Sequence, residues 1–72
     1  NALSAGPMRT LSSAGLAEFD QMLRHAARKA CLNRNIEFEE IGATGLYLLS
    51  DASSGVTGEI VHVDAGYNIV GL

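Results

Sequence analysis

The clearest hydrophobic pattern in the chain predicts a helix at residues 16–30. Apolar side chains recur at intervals of three and four residues, which places them on one face of a helix. They are Leu16, Phe19, Leu23, Ala26, Ala27 and Ala30. Acidic residues stand near the start and basic residues near the end, which suits the helix macrodipole. Ser12 or Ser13 is the candidate N-cap, so the whole helical segment is taken as 12–30.

A second apolar segment predicts a helix at residues 36–50, with Asn35 as its N-cap. Three glutamates crowd its first turn, where the helix dipole favours negative charge. Gly42 and Gly45 each cost about 1 kcal/mol relative to alanine inside a helix, so we expect another backbone to approach closely there. The positions predicted to be buried are Phe38, Ile41, Gly45, Leu48 and Leu49.

Two short segments on either side of the helices predict β-strands. Residues 1–4 have the character of a strand end, and residues 59–63 place apolar groups on both faces, as in a parallel strand covered on both sides. Asp64 is expected to bind nearby backbone N–H groups in the turn that follows. The order strand, helix, helix, strand predicts an α/β fold, the closing part of a doubly wound parallel sheet.

Composition and charge narrow the classes of partner. The chain has 72 residues, is 47% apolar and contains one cysteine, so no internal disulfide can stabilise it and we expect a larger body to cover its apolar surface. The net charge of −3 without a basic block disfavours nucleic acid and anionic membranes as partners. No run approaches the roughly 18 apolar residues of a membrane span. His25, His62 and Cys31 lack the spacing of a zinc site, so no metal is predicted.

Three stretches carry a family resemblance. They are NALSAGPMRTLSSAG, EEIGATGLYLLSD and TGEIVHVDAGYNIVG. Together they resemble the C-terminal third of the short-chain dehydrogenase/reductases and, more closely, of the enoyl-[acyl-carrier-protein] reductase family. The TG-x4-VD-x-G pattern is general to the superfamily, whereas SAGPMRT is more specific. The resemblance implies that residues 1–72 are the C-terminal segment of one Rossmann-fold reductase domain. In it, 1–11 would be a strand end and cofactor loop, 12–30 a substrate-covering helix, 36–50 a helix and 59–63 the last strand.

The same resemblance implies an activity and its partners. The family reduces the trans-2 double bond of enoyl thioesters with NADH in fatty-acid biosynthesis. The expected cofactor is therefore NAD, and the expected substrate is an enoyl group on acyl carrier protein. A homotetramer is expected, in the bacterial cytoplasm or the plastid stroma.

Site residues follow from the resemblance, position by position. Ligands of doubly wound sheets bind beyond the carboxyl ends of the strands, and the loop after the first strand lies there. The residues implied to line the dinucleotide are Gly6, Pro7, Met8, Arg9, Thr10, Leu11 and Ser12. Those implied to line the acyl pocket are Leu16 and Phe19. Small residues would let backbone approach a flat ring, and Met8 would supply an adaptable apolar wall.

The catalytic residues are expected outside this chain. The family uses a tyrosine placed four residues before a lysine. Tyr47 and Tyr67 are followed at that spacing by Asp51 and Gly71, so neither is a catalytic candidate. The alternatives are another short-chain reductase, acting on a ketoacyl or alcohol substrate, and a non-catalytic α/β assembly module. The second helix and the apolar tail suit a subunit contact or burial within one subunit.

Overall fold

Two parallel strands and two helices form the described part of the chain, residues 1–9 and 17–70, in a computed structural model. In chain order they are β1 (Ala2–Ala5), α1 (Ala17–Lys29), α2 (Phe38–Leu49) and β2 (Ile60–Val63). Single turns of 3₁₀ helix follow α2 at Asp51–Ser53 and β2 at Tyr67–Ile69. The predicted order of strand, helix, helix, strand is confirmed.

The two strands pair in parallel, so that both of their carboxyl ends reach the same edge of the sheet. Ala2 lies opposite Ile60 and Ala5 lies opposite Val63. Since parallel strands need a crossover connection, both helices lie between them in the chain. This topology places the loop after β1 beside the turn after β2.

Asn1 holds the opposite end of the strand pair. Its Nδ2 donates a hydrogen bond to the Val56 carbonyl oxygen at 2.9 Å, and its Oδ1 accepts one from the Glu59 N–H at 2.9 Å. One side chain thus satisfies two backbone groups of the segment that leads into β2. The hydrophobic pattern could not predict this contact, because the contact joins a polar side chain to backbone groups that are distant in the sequence.

Helix α1 has the amphipathic arrangement that its sequence predicts. Leu23 and Ala26 are buried, and so is Ala30, the residue after the end of the helix. Phe19 is half-buried on the same face. Acidic residues occupy the first turn and basic residues the last. On the opposite face, Glu18, Gln21, His25 and Arg28 are exposed, as expected for an amphipathic helix.

A small core joins the connector between the helices to the turn after β2. Ala30, Ile36 and Ala65 are its buried members. The Leu32 N–H also donates to the Ala65 carbonyl oxygen at 3.0 Å, which fixes the connector to that turn. The half-buried residues packed against this core cluster are Met8, Ile41, Val63 and Tyr67.

The start of α2 differs from the sequence prediction. The N-cap is Glu37, in an extended conformation, and the helix runs from Phe38 to Leu49 within the predicted range 36–50. The prediction of Asn35 as N-cap was wrong. Glu40 reaches back to accept a hydrogen bond from the Glu37 N–H at 2.7 Å, which sets the helix start at that residue. Ile36 is buried in the core before the helix begins.

The outward side of α2 is also a correction. Phe38 and Leu49 were predicted to be buried, yet they are 64% and 91% exposed. Ile41 and Leu48, in contrast, are half-buried. A Cβ placed on Gly42 or Gly45 would meet no atom within 4 Å in the described part of the chain, so the expected backbone approach is absent there. The side of α2 that carries Phe38 and Leu49 therefore points away from the core cluster, whereas Ile41 packs against it.

Candidate functional site at the carboxyl edge of the strands

The loop at residues 6–9 leaves β1 at the carboxyl edge of the strand pair. The Gly6 N–H donates to the Val63 carbonyl oxygen at 2.9 Å, which continues the β1–β2 ladder into the loop. In open α/β sheets, ligands bind in the crevice outside the carboxyl ends of the strands. Four residues that the family resemblance implies for the dinucleotide, Gly6 to Arg9, therefore stand at the edge where such ligands bind.

Gly6 is required by packing within the chain. A Cβ at this position would lie 2.7 Å from the Asp64 Cβ and 2.9 Å from the Asp64 Cα. Because the Asp64 Cα belongs to the backbone, it cannot move aside as a flexible side chain would. The structure thus gives a reason for this glycine that is independent of any ligand.

Asp64 makes the turn after β2 rigid. Its Oδ1 accepts a hydrogen bond from the Gly66 N–H at 3.0 Å, and its Oδ2 accepts one from the Asn68 N–H at 3.1 Å. The predicted role of Asp64 as a turn residue that binds nearby backbone N–H groups is confirmed. Gly6 consequently packs against a fixed surface.

The middle of the loop is seated on the core. Pro7 and Met8 are both half-buried, and Met8 packs against the core cluster. One side of Met8 therefore contacts the core cluster, and the other side is exposed to solvent. The loop keeps a defined path at the edge of the sheet because glycine, proline and methionine each have a structural partner or constraint.

Gly66 is as closely packed as Gly6. Its φ is +88°, and a Cβ there would lie 2.7 Å from the Cys31 Cβ and 3.0 Å from the Cys31 Sγ. The Cys31 thiol lies 3.5 Å from the Gly66 carbonyl oxygen, to which it donates a weak hydrogen bond. Cys31 thus has a packing role between the helix connector and the turn.

The substrate-side prediction is partly within the described residues. Phe19 lies half-buried in the first turns of α1 and, with Ala17, Glu18 and Met22, lines a surface groove. This groove combines an aromatic ring, a methionine and one carboxylate. The other implied site residues lie outside the described part of the chain: Thr10, Leu11, Ser12 and Leu16.

An ion pair links this helix to the loop. Arg9 Nη2 lies 2.6 Å from Asp20 Oδ1, and the two side chains are 53% and 29% exposed. Sequence reasoning missed this contact, because the two residues belong to different elements and nothing in the helical period of α1 points to a loop arginine. Opposite charges are a necessary signal for such a pair but do not identify the partner.

A second ion pair controls the start of α2. Arg34 Nη1 and Nη2 donate to Glu40 Oε1 and Oε2, each at 3.0 Å. The hydrogen bonds from Arg34, and then the one from the Glu37 N–H, lower the pKa of Glu40 to about 2. The same bonds raise the pKa of the Arg34 guanidinium. Both groups are therefore charged near neutral pH, and the pair acts as a helix cap.

Neither tyrosine is a catalytic candidate, because neither stands four residues before a lysine. Tyr47 is exposed on α2, and Tyr67 packs against the core cluster. In residues 1–9 and 17–70, no three His, Cys, Asp or Glu side chains are grouped so that they could hold a metal ion. Within the same residues, neither helix has the length and apolar character needed to cross a membrane.

A family comparison covers almost the entire chain. The sequence model described as enoyl-(acyl carrier protein) reductase matches residues 1–68. The chain is 52% identical over 69 residues to the enoyl-[acyl-carrier-protein] reductase [NADH] FabI of Neisseria meningitidis, covering 96% of this chain and 26% of that protein. It is 51% identical over 70 residues to the enoyl-[acyl-carrier-protein] reductase [NADPH] FabI of Staphylococcus aureus, covering 97% and 27%.

A solved structure gives the corresponding comparison of the fold. The enoyl-(acyl-carrier-protein) reductase of Anaplasma phagocytophilum, in complex with NAD, matches 100% of this chain and 28% of its own, with a TM-score of 0.86 and 49% identity. The predicted fold class, the C-terminal part of a Rossmann-type parallel α/β sheet, is confirmed. The chain spans little more than a quarter of the length of each of these proteins.

Proposed function

Because the chain belongs to the enoyl-(acyl carrier protein) reductase family, we propose that it is the C-terminal segment of an NADH-dependent reductase of trans-2-enoyl thioesters. The substrate is an enoyl group on acyl carrier protein, and the reaction belongs to fatty-acid biosynthesis. The observation that carries the proposal is the seating of residues 6–9 at the carboxyl edge of two parallel strands, with an ion pair from Arg9 to α1. The catalytic tyrosine and lysine lie outside this chain, which supplies one wall of the site.

The loop has properties that fit a dinucleotide. Gly6 places backbone without a side chain at the edge, and half-buried Met8 offers apolar, adaptable surface beside it. Arg9 adds a cation to the loop, which suits a ligand with phosphate groups. When bound, the reduced nicotinamide supplies the hydride that the β-carbon of the substrate receives. We assign the dinucleotide contact to Gly6, Pro7, Met8, Arg9, Thr10, Leu11 and Ser12.

Helix α1 has properties that fit an acyl chain. The groove beside Phe19 and Met22 presents aromatic and aliphatic surface at the start of the helix. An apolar cover of this kind excludes water from the reacting thioester, and burial of the chain favours binding by about 0.8 kcal/mol per methylene. We assign the acyl contact to Leu16 and Phe19.

The activity is tested with the full-length protein, crotonyl thioester and NADH. We expect oxidation of NADH that depends on the thioester, and slower oxidation of NADPH at equal concentration. A parallel assay with acetoacetyl thioester separates the enoyl reductases from the ketoacyl reductases of the same fold. Oxidation with acetoacetyl thioester alone would replace the proposed substrate, and no oxidation with either would favour an assembly module.

We also propose that a second copy of the protein covers the outer face of α2, within a homotetramer. This face consists of Phe38, Gly42, Gly45, Leu46 and Leu49. Its spacing places all five on one side of the helix, and its three large side chains are 64%, 72% and 91% exposed. The two glycines leave open space between those side chains, into which a neighbouring helix can pack.

A two-fold axis favours such a contact, because it brings the same patch of two subunits together and a patch with both gaps and projections is self-complementary. Tetramers with two-fold symmetry are common among soluble assemblies. Native mass spectrometry of the full-length protein tests the assembly. A mass of four subunits supports it, whereas a monomer would assign the cover of this face to another part of the same polypeptide.

The compartment proposed for the enzyme is the bacterial cytoplasm, with the plastid stroma as the equivalent place in a plant cell. Cys31 is a free, exposed thiol. Thiols of this kind persist in reducing compartments, in which disulfides are rare. Cell fractionation with an antibody against the protein tests this assignment.

A further inference from the structure

The ion pair between Arg9 and Asp20 has an unusual environment for a contact at the surface. Asp20 Oδ1 is shielded from solvent and accepts no hydrogen bond, but it lies 2.6 Å from Arg9 Nη2 in an ionic contact. A carboxylate oxygen removed from water needs a compensating partner, because an isolated charge there is unfavourable. Among the residues that the structure describes, Arg9 is the cation paired with Asp20. The two side chains are therefore expected to be in contact most of the time.

The position of the pair connects the two halves of the proposed site. Arg9 belongs to the loop proposed for the dinucleotide, and Asp20 follows Phe19 in the first turns of α1. Residues 10–16 separate the two in the sequence. A contact between their side chains thus links the loop proposed for the cofactor to the helix proposed for the acyl chain.

We infer that Asp20 is a positioning residue, which acts through Arg9 to hold the first turns of α1 against the loop that contains Arg9. This inference rests on the proposed function and adds to it a residue that touches neither substrate nor cofactor. Asp20 also attracts the Arg9 guanidinium to one side of the loop, since the shielded oxygen lies 2.6 Å from one of its nitrogens. Loss of the charge on Asp20 frees both the guanidinium and the helix turn.

The expected kinetic effect is on binding of the acyl substrate. Groups that take part in hydride and proton transfer lie outside this chain under the proposed function, so kcat should change little. KM for the thioester should rise, because the acyl wall is no longer held at the loop. This split distinguishes a positioning residue from a general loss of folded enzyme, which lowers kcat and leaves KM unchanged.

The experiment uses the full-length enzyme with saturating NADH and the crotonyl thioester of N-acetylcysteamine, which carries no charge. Asp20→Asn keeps the shape of the side chain and removes its charge. We expect about a three- to fivefold rise in KM, the range for a partly exposed ion pair, with kcat within about twofold of the wild type. Glu39→Gln is the matched control, since it removes one charge from the exposed start of α2, and we expect no change in KM.

A double-mutant cycle separates the ion pair from other effects of Asp20. In an Arg9→Met background, Asp20→Asn should have no further effect on KM, because the partner is already absent. Added salt should raise KM of the wild type and leave KM of Asp20→Asn unchanged, since salt screens the attraction between the two charges. Equal KM values for the wild type and Asp20→Asn would overturn the inference, and so would an undiminished effect of Asp20→Asn in the Arg9→Met background.

Hydrogen exchange gives a readout that needs no activity. Amides of residues 17–23 should exchange faster in Asp20→Asn than in the wild type or Glu39→Gln, because the first turns of α1 lose their tether. If the wild type does not reduce the crotonyl thioester, the proposed function fails while this measurement still decides the role of Asp20. Unchanged exchange in the active enzyme rejects the inference alone.

Discussion

Helix α1 buries Leu23 and Ala26 and exposes its charged residues, whereas α2, the more apolar helix, buries none of its residues. Leu23 and Ala26 of α1 find their cover within this chain. In the described residues nothing covers the outer face of α2, although its residues follow an equally regular helical spacing. Hydrophobic periodicity thus reports which residues share a face, and it does not report which body covers that face.

The glycines show the same contrast. A Cβ added at Gly66 or Gly6 would lie 2.7 Å from a neighbouring atom, so a side chain cannot be added there without movement. Gly42 and Gly45 have open space around them in the described part of the chain. Gly6 and Gly66 thus permit close packing within the chain, whereas Gly42 and Gly45 leave a gap that another surface can fill.

The largest expected effect comes from Gly66→Ala, which adds a methyl group at one of the two crowded glycines. The new methyl group would meet the Cys31 Cβ, and alanine is strained at a φ of +88°. Together these should lower the free energy of unfolding of the full-length protein by about 2–4 kcal/mol. Urea denaturation followed by circular dichroism measures the change.

Gly58→Ala is the control for the strain alone. Gly58 also has a positive φ, +73°, but a Cβ there would meet nothing within 4 Å. We expect a loss of about 1 kcal/mol. Equal losses for the two variants would mean that the contact between Gly66 and Cys31 contributes nothing.

The next largest effect is expected on the outer face of α2 and tests whether another subunit covers it. Leu46→Glu places a charge in the middle of the outer face of α2, where Leu46 is 72% exposed. If another subunit covers this face, self-association should weaken by about 30-fold or more, the loss typical of a central interface residue. Analytical ultracentrifugation of the full-length protein over a range of concentrations measures the dissociation.

Gln21→Glu is the matched control, since it adds the same charge at an exposed position of α1. It should leave the sedimentation unchanged. A Leu46→Glu protein that sediments like the wild type would show that no subunit contact involves this face.

The smallest effect concerns the ion pair at the start of α2. Arg34→Met removes the main cause of the low pKa of Glu40, which is about 2 in the folded protein and about 4.5 as the ordinary value. A lowered folded pKa stabilises the protein at pH above the unfolded value, and this contribution disappears as the pH falls through the folded value. The wild type should therefore exceed Arg34→Met in stability near neutral pH, and the difference should shrink between about pH 4.5 and about pH 2.

Denaturation midpoints of the two proteins near neutral pH and at about pH 3 test this prediction. Arg24→Met serves as the control, because Arg24 is an exposed cation in the middle of α1. Since the side chains of Arg34 and Glu40 are 48% and 37% exposed, the difference is expected to be modest. A difference that stays constant down to the lowest pH would exclude Glu40 as its origin.

Much of the fold could be predicted from local patterns. The spacing of apolar residues identified both faces of α1, and Asp64 was recognisable as a turn residue from its place between a strand and a glycine. The start of α2 could not be predicted in the same way. Its N-cap depends on Arg34, Glu37 and Glu40 acting together, and Asn35 looked equally suitable when considered alone.

The candidate site shows a similar division. Its location at the carboxyl edge followed from the order of strands and helices, because that order determines where loops meet. The contacts of Gly6 with Asp64 and of Arg9 with Asp20 could not be predicted, since each joins residues that are distant in the sequence. Such pairings depend on the relative placement of whole elements, which composition and period do not encode.

The hydrogen bond from the Glu59 N–H to Asn1 joins positions that are 58 residues apart. Closing so long a segment has an entropic cost that the few bonds between two four-residue strands offset poorly. The intervening helices must compact first, so that the strand ends are already near each other when they pair. The first residue of this chain is accordingly expected to be among the last to acquire its partners during folding, and to protect them from solvent exchange only after the rest has collapsed.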